Sequence, residues 1–196
     1  VTIGQLSAAL KRAGFAGVSE TAHGAESVSA HVARMLEATP SPLVISSACP
    51  AAVDMICKYL PGYARFISPL PSPLRAHCRL IKEKSSADCK VVFFGPCAAK
   101  KNEADNHPEE LSLALIFPAL ERFLEEKGIQ FGGEDSPVLG PAEEGRFYSI
   151  EGGMNDTLRN GGSDVRYLSV SGLDNLRRLL AFALNFSSQL NKFFFC

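Results

Sequence analysis

Short apolar runs closed by proline or glycine, each leading into a loop and then a helical periodicity, constrain this chain more than any other feature. Pro42-Leu43-Val44-Ile45 leads into Ser46-Ser47-Ala48-Cys49-Pro50, and Val91-Val92-Phe93-Phe94 into Gly95-Pro96-Cys97-Ala98-Ala99-Lys100-Lys101. β-Branched and aromatic runs of this length without polar alternation read as buried parallel strands. A helix is predicted from Pro50 to Tyr59, because proline suits the first helical position, where its missing N–H would have no partner. Open parallel sheets bind ligands beyond the carboxyl ends of their strands. Both loops carry a cysteine there.

The alternation continues along the chain. Apolar residues at helical spacing predict helices over Gln5–Gly14 and Glu26–Glu37, and Ser72-Pro73-Leu74 opens another to about Lys84. Further helices are expected over Pro118–Lys127, stopped by Gly128, and over Leu173–Phe182. Strands are expected at 42–46, 91–94, Leu111–Ile116, Arg166–Val170 and Lys192–Phe195. Four prolines in residues 61–73 argue against a regular helix there. Residues 128–162 hold nine of the sixteen glycines, so a long loop with one or two short strands, such as Arg146–Ile150, is expected. The fold class is α/β, with mostly parallel β-sheets flanked by helices.

Composition narrows the function. The 196 residues suffice for one substantial core or for two lobes. Twenty basic against 21 acidic residues give a net charge of −1, with no field favouring nucleic acid. No apolar run approaches the roughly 18 residues of a membrane span. Six cysteines without a secretory leader do not read as a disulfide framework, so a reducing, cytoplasmic setting is expected. The chain opens at Val1 without methionine and stops at Cys196 inside a strand-like run, so truncation at both ends is expected.

Thiolate is the natural ligand of iron–sulfur clusters, zinc and copper(I). Cys49, Cys97 and Cys196 all follow strand-like runs and are expected to converge on one sheet edge. Cys57 and Cys78 fall within predicted helices and read as buried small hydrophobes. No Cys-x-x-Cys occurs, which argues against a zinc ribbon or a thioredoxin-type pair. Lys100 and Lys101, three and four residues after Cys97, offer positive charge beside a thiolate, and Glu103 offers a carboxylate for proton exchange. Gly152-Gly153 allows either a turn or close backbone approach to a bulky cofactor. The four histidines show no metal-ligand spacing and read as surface or core residues.

At this point the residues resemble a family. Ser46-Ser47-Ala48-Cys49-Pro50 is similar to the first cluster motif, usually Thr-Ser-Cys-Cys-Pro, in the C-terminal domain of the iron-only ([FeFe]) hydrogenase large subunit. Gly95 to Glu103 is similar to its second, usually Met-Pro-Cys-x-x-Lys-x-x-Glu. Ser72-Pro73 lies between them as the family's Ser-Pro element does, and Ile116-Phe117-Pro118-Ala119-Leu120, Glu151-Gly152-Gly153-Met154 and Val170-Ser171-Gly172 follow in the family's order, so that the likeness spans nearly all of residues 1–196. It implies two lobes around a metal-cluster cleft that holds the H-cluster. That cofactor is a [4Fe–4S] cubane joined to a di-iron subcluster with CO, cyanide and a dithiolate. By the same resemblance Cys49, Cys97 and Cys196 are cubane ligands, with a fourth cysteine just past Cys196. Lys100 bonds a cyanide, while Pro73, Gly152 and Gly153 line the di-iron pocket.

Three departures set the chain apart. Ala48 stands at the position of a proton-relay cysteine, Gly95 at that of a methionine, and Leu74 at that of a glutamine. Losing a relay thiol removes general acid–base help worth about 10² to 10⁴ in rate. This pattern resembles the sensory or regulatory branch, in which slow or sensory H₂ turnover is coupled to ferredoxin-type clusters or carriers and to PAS or other signalling domains. The rival reading is a non-catalytic [4Fe–4S] electron-transfer or redox-sensing protein without the di-iron centre. A third is a structural remnant with its cysteines in the core.

Overall fold

Thr2 opens the first helix by a reciprocal cap. Its hydroxyl accepts from the Gln5 N–H at 3.0 Å, and the Gln5 side chain accepts from the Thr2 N–H at 3.1 Å. Two donors left unpaired at a helix start are thereby satisfied. The computed structural model describes residues 1–39, 41, 43–132, 135–140, 142–158, 165–186 and 192–195. In chain order its helices and strands begin with α1 (Ile3–Arg12), α2 (Ala22–Ala38), β1 (Leu43–Ile45), α3 (Pro50–Tyr59) and α4 (Pro73–Lys84). They continue with β2 (Val92–Gly95), α5 (Lys100–Asn106), β3 (Leu113–Ile116) and α6 (Phe117–Glu126). The last are α7 (Gly153–Leu158), β4 (Val165–Leu168), α8 (Leu173–Phe186) and β5 (Lys192–Phe195). The fold is α/β, with parallel sheets flanked by helices.

These elements form two compact units, each built from two separate stretches of chain. One comprises Val1–Thr21 with Ile81–Glu143, the other Ala22–Leu80 with Glu144–Cys196. In the first, β2 and β3 pair in parallel, with Val92 opposite Leu113 and Gly95 opposite Ile116. Ala9 and Leu10 of α1 pack on Leu120 and Leu124 of α6, and Phe15 sets its ring edge-on against Phe94 and Phe123. Residues 135–137 lie along α1: Thr2 Oγ1 donates to Asp135 Oδ1 at 2.9 Å, and the Ser136 N–H to the Gly4 carbonyl at 3.1 Å.

The second unit holds a three-stranded parallel sheet in the order β1-β5-β4, with Ile45 and Leu168 both in register with Phe195. Successive side chains of a strand face opposite sides. Phe194 accordingly joins Val28, Val32 and Leu36 of α2 and Leu158 of α7, whereas Phe195 joins Ile56 of α3 and Leu176 and Leu180 of α8. Helices thus cover both faces of this sheet. Burial, and after it the Glu37 carboxylate, raises the Tyr167 phenol above its ordinary value.

Several expectations need correction. The strand anticipated at Arg146–Ile150 is a 3₁₀ turn, Glu144–Ser149, and the glycine-rich stretch contains helix α7 rather than only loop and strand. The turn is drawn onto α2, where Tyr148 Oη and Ser29 Oγ lie 2.9 Å apart and Gly145 sits too close to the Ala22 carbonyl to admit a Cβ. Tertiary contact overrides the strand propensity of Phe147 and Tyr148. Residues 61–66 form another 3₁₀ turn, begun by Pro61. Cys78 is fully buried as expected, but Cys57 is exposed on α3.

Candidate functional site

The Cys49 loop is fastened at successive residues as it leaves β1. The Ser46 N–H donates to the Phe195 carbonyl at 2.7 Å, continuing the sheet by one bond. Ser46 Oγ, in a nearly buried residue, donates to Met154 Sδ at 3.2 Å and accepts from the Ala48 N–H at 3.2 Å. Ser47 Oγ donates to the Leu70 carbonyl at 2.7 Å. The Ser68 N–H donates to the Ile45 carbonyl at 2.7 Å, which brings residues 67–70 alongside. Cys49 follows in extended conformation, φ −102° and ψ 106°, as the N-cap of α3, with its thiol exposed and free.

In the other unit, β2 ends at the buried Gly95, and Pro96 and the exposed Cys97 turn the chain. A Cβ on Gly95 would collide with the ring of Phe93, which lies over it on the same face of the strand. The Lys100 N–H donates to the Cys97 carbonyl at 3.2 Å, and the helix begins at Lys100. Lys100 Nζ lies 2.7 Å from Glu103 Oε2, and both side chains are only 12% exposed. Charges so far removed from water are retained only when each offsets the other's desolvation. Lys101 faces solvent.

Pro73 is buried at the first position of α4, with its carbonyl against Gly24. Gly152 adopts φ +76°, which favours glycine, and a Cβ on Gly153 would overlap the Phe147 carbonyl. The glycine pair therefore already answers to a turn and a close helix start within its own unit. Met154, the next residue, reaches Ser46. Cys196 lies outside the described residues. The expected convergence on one sheet edge is corrected: Cys49 follows a strand of the three-stranded sheet and Cys97 a strand of the two-stranded one. A period-two pattern cannot say which runs pair.

Free thiols at the carboxyl ends of parallel strands fit the donor chemistry of an iron–sulfur group. Among the described residues, no three His, Cys, Asp or Glu side chains gather as a metal set. Cys49 and Cys97 are exposed free thiols that each follow a strand end, one in each unit. The hydroxyls of Ser46 and Ser47 had no assigned part in the sequence reading. Their signal was available, since serines just before a loop cysteine are prone to bond nearby backbone.

Comparison with known proteins follows the same lines. Residues 1–178 match the family described as iron only hydrogenase large subunit, C-terminal domain. No curated protein matches the chain. Among solved structures, a HydA(deltaEFG) [FeFe]-hydrogenase, reported for stepwise H-cluster assembly, superposes with a TM-score of 0.71 at 19% identity, covering 99% of this chain and 70% of the other. An apo variant of the [FeFe]-hydrogenase HydA1 from Chlamydomonas reinhardtii gives 0.70 at 18% identity over the same shares. A second HydA1 variant from that organism gives 0.71 at 19%, again over those shares. At such identities the likeness is one of fold.

Proposed function

The chain belongs to the family formed by the C-terminal domain of the iron-only hydrogenase large subunit, and from that premise we propose that it is a hydrogenase-like domain of the sensory type. It turns H₂ over slowly or only registers it. Cys49, Cys97 and Cys196 are the proposed cubane ligands, in a domain comprising residues 1–196. Bound there, an H-cluster of cubane and di-iron subcluster supplies heterolytic H₂ chemistry and an exit for electrons. The Lys100 ammonium faces the anionic cofactor, and Glu103, 2.7 Å away, fixes that ammonium and offers a carboxylate for proton exchange. Pro73, Gly152 and Gly153 bring backbone toward the cofactor.

The observation that carries this reading is the pair of free, exposed thiols, each just past the carboxyl end of a parallel strand. Ala48 supports slow turnover, because its methyl packs against the core and can neither accept nor deliver a proton. That same methyl favours a second reading, a redox domain with a cubane and no di-iron centre. Electrons pass to a ferredoxin-type carrier or cluster, and the output goes to a signalling domain of PAS type. Among the described residues no helix is long and apolar enough to cross a membrane. The cytoplasm is the proposed setting because the chain's six cysteines do not read as a disulfide framework.

Anaerobic reconstitution of the native polypeptide tests the proposal through iron, acid-labile sulfide and EPR. About four irons per chain are expected for a cubane, lost on Cys49→Ala or Cys97→Ala. After full maturation, infrared bands of metal-bound CO and cyanide are expected. Iron without those bands would leave the second reading, and no iron above background would overturn both.

A further inference from the structure

Within the unit that carries Cys49, two serine hydroxyls tie together three stretches distant in sequence. Ser47 Oγ donates to the Leu70 carbonyl at 2.7 Å, in the stretch that leads through Ser72 to Pro73. Ser46 Oγ donates to Met154 Sδ at 3.2 Å, directly after Gly152-Gly153, while accepting the Ala48 N–H. The Ser46 N–H is already committed to Phe195, and the Ser68 N–H to Ile45. Bonds therefore leave residues 46–48 in three directions: to β5, to residues 68–70 and to α7. Resting on the functional reading above, we infer that Ser46 and Ser47 are positioning residues for cluster binding. They hold the backbone of residues 46–49 in its ligating shape before any metal arrives, and they set the Pro73 and Gly152-Gly153 stretches relative to Cys49.

The chemistry of the contacts explains why two adjacent serines are used. Ser46 needs a group that donates to sulfur while accepting an N–H two residues on, which a hydroxyl does and an alkyl group does not. Ser47 spans 23 residues of sequence with one short bond to a carbonyl. Pro69 and Pro71, on either side of Leu70, offer no N–H of their own. A hydroxyl donated from Ser47 is one of the few ways to fasten that proline-rich stretch. Preorganised ligand loops spare a bound group the ordering entropy that a slack loop would lose on binding.

The test compares wild type with Ser46→Ala, Ser47→Ala and Ser47→Thr, first without metal and then after anaerobic reconstitution. Without metal, backbone hydrogen exchange is read over residues 46–49 and 67–72, with β4 as the internal reference. Loss of one such bond is expected to make local opening about fivefold more frequent. Ser47→Ala should affect 67–72 and Ser46→Ala the Ala48 amide, with β4 unchanged and Ser47→Thr close to wild type. After reconstitution, both alanine variants should show a shifted cluster EPR spectrum or midpoint potential, restored by threonine at 47. Exchange unchanged at both stretches, or raised equally in β4, overturns the inference. A wild type that loads while the alanine variants give its spectrum and potential overturns it too. A wild type that takes up no iron fails the functional reading and, with it, the role in cluster binding. The exchange data then still decide whether the clamp exists.

Discussion

Gly153 has no room for a methyl group, because an added Cβ would overlap the Phe147 carbonyl in the preceding 3₁₀ turn. Gly152 has the room but not the backbone: at φ +76° a side chain is strained, although a Cβ would only touch Ser169 at 4.0 Å. Gly153→Ala should therefore cost about 1–3 kcal/mol through forced displacement of backbone. Gly152→Ala should cost about 1 kcal/mol, from conformation alone. Denaturant titration of both variants checks the order, and a larger loss at 152 would contradict it. The Gly-Gly pair was legible in the sequence as a turn or close approach, but not what it approaches. Cys57 is the opposite lesson: a cysteine inside an apolar helix was expected to be buried, yet it lies on the face of α3 turned to solvent. Helical periodicity marks a stripe, and a single residue at its margin falls on either side.

At the scale of elements, β5 is the most constrained strand. It lies between β1 and β4, with Phe194 and Phe195 filling the cores on opposite faces of the sheet. Phe194→Ala should cost about 3–5 kcal/mol, because the helices on that face cannot close fully over the cavity. Thermal unfolding followed by circular dichroism measures this, and a loss below about 1 kcal/mol would mean that the site collapses freely. The Phe193-Phe194-Phe195 run declares a strand without help, as Pro50 declares the start of α3, since side-chain shape and proline geometry act locally. The turn at Glu144–Ser149 does not declare itself. Its Tyr148–Ser29 contact spans 119 residues of sequence, and no window of neighbours contains it.

The whole molecule divides into two units, and both are discontinuous in sequence. Each has its own core: Ala9, Leu10, Leu120 and Leu124 in one, and the clusters on the two faces of the three-stranded sheet in the other. Leu124→Ala should accordingly speed hydrogen exchange in α1, β2 and β3 more than in β5, and Phe194→Ala should do the reverse. Exchange that rises equally everywhere in both variants would show one cooperative unit instead. The two described thiols that follow strand ends fall one in each unit. Cys49 leaves β1 in one unit, and Cys97 leaves β2 in the other.

By itself the sequence determined the kinds and order of most elements, the parallel α/β class, and the placing of two cysteines just beyond strand ends. These follow from side-chain shape, proline and glycine geometry and apolar spacing, which act over a few residues. Tertiary structure alone decided that the strands divide into two sheets, and that Glu144–Ser149 is a turn held on α2. It also decided that Ser46 and Ser47 fasten the Cys49 loop to Met154 and Leu70. Each of these depends on contacts between residues far apart in the chain, whose partners are chosen only when the packed core brings them within bonding distance.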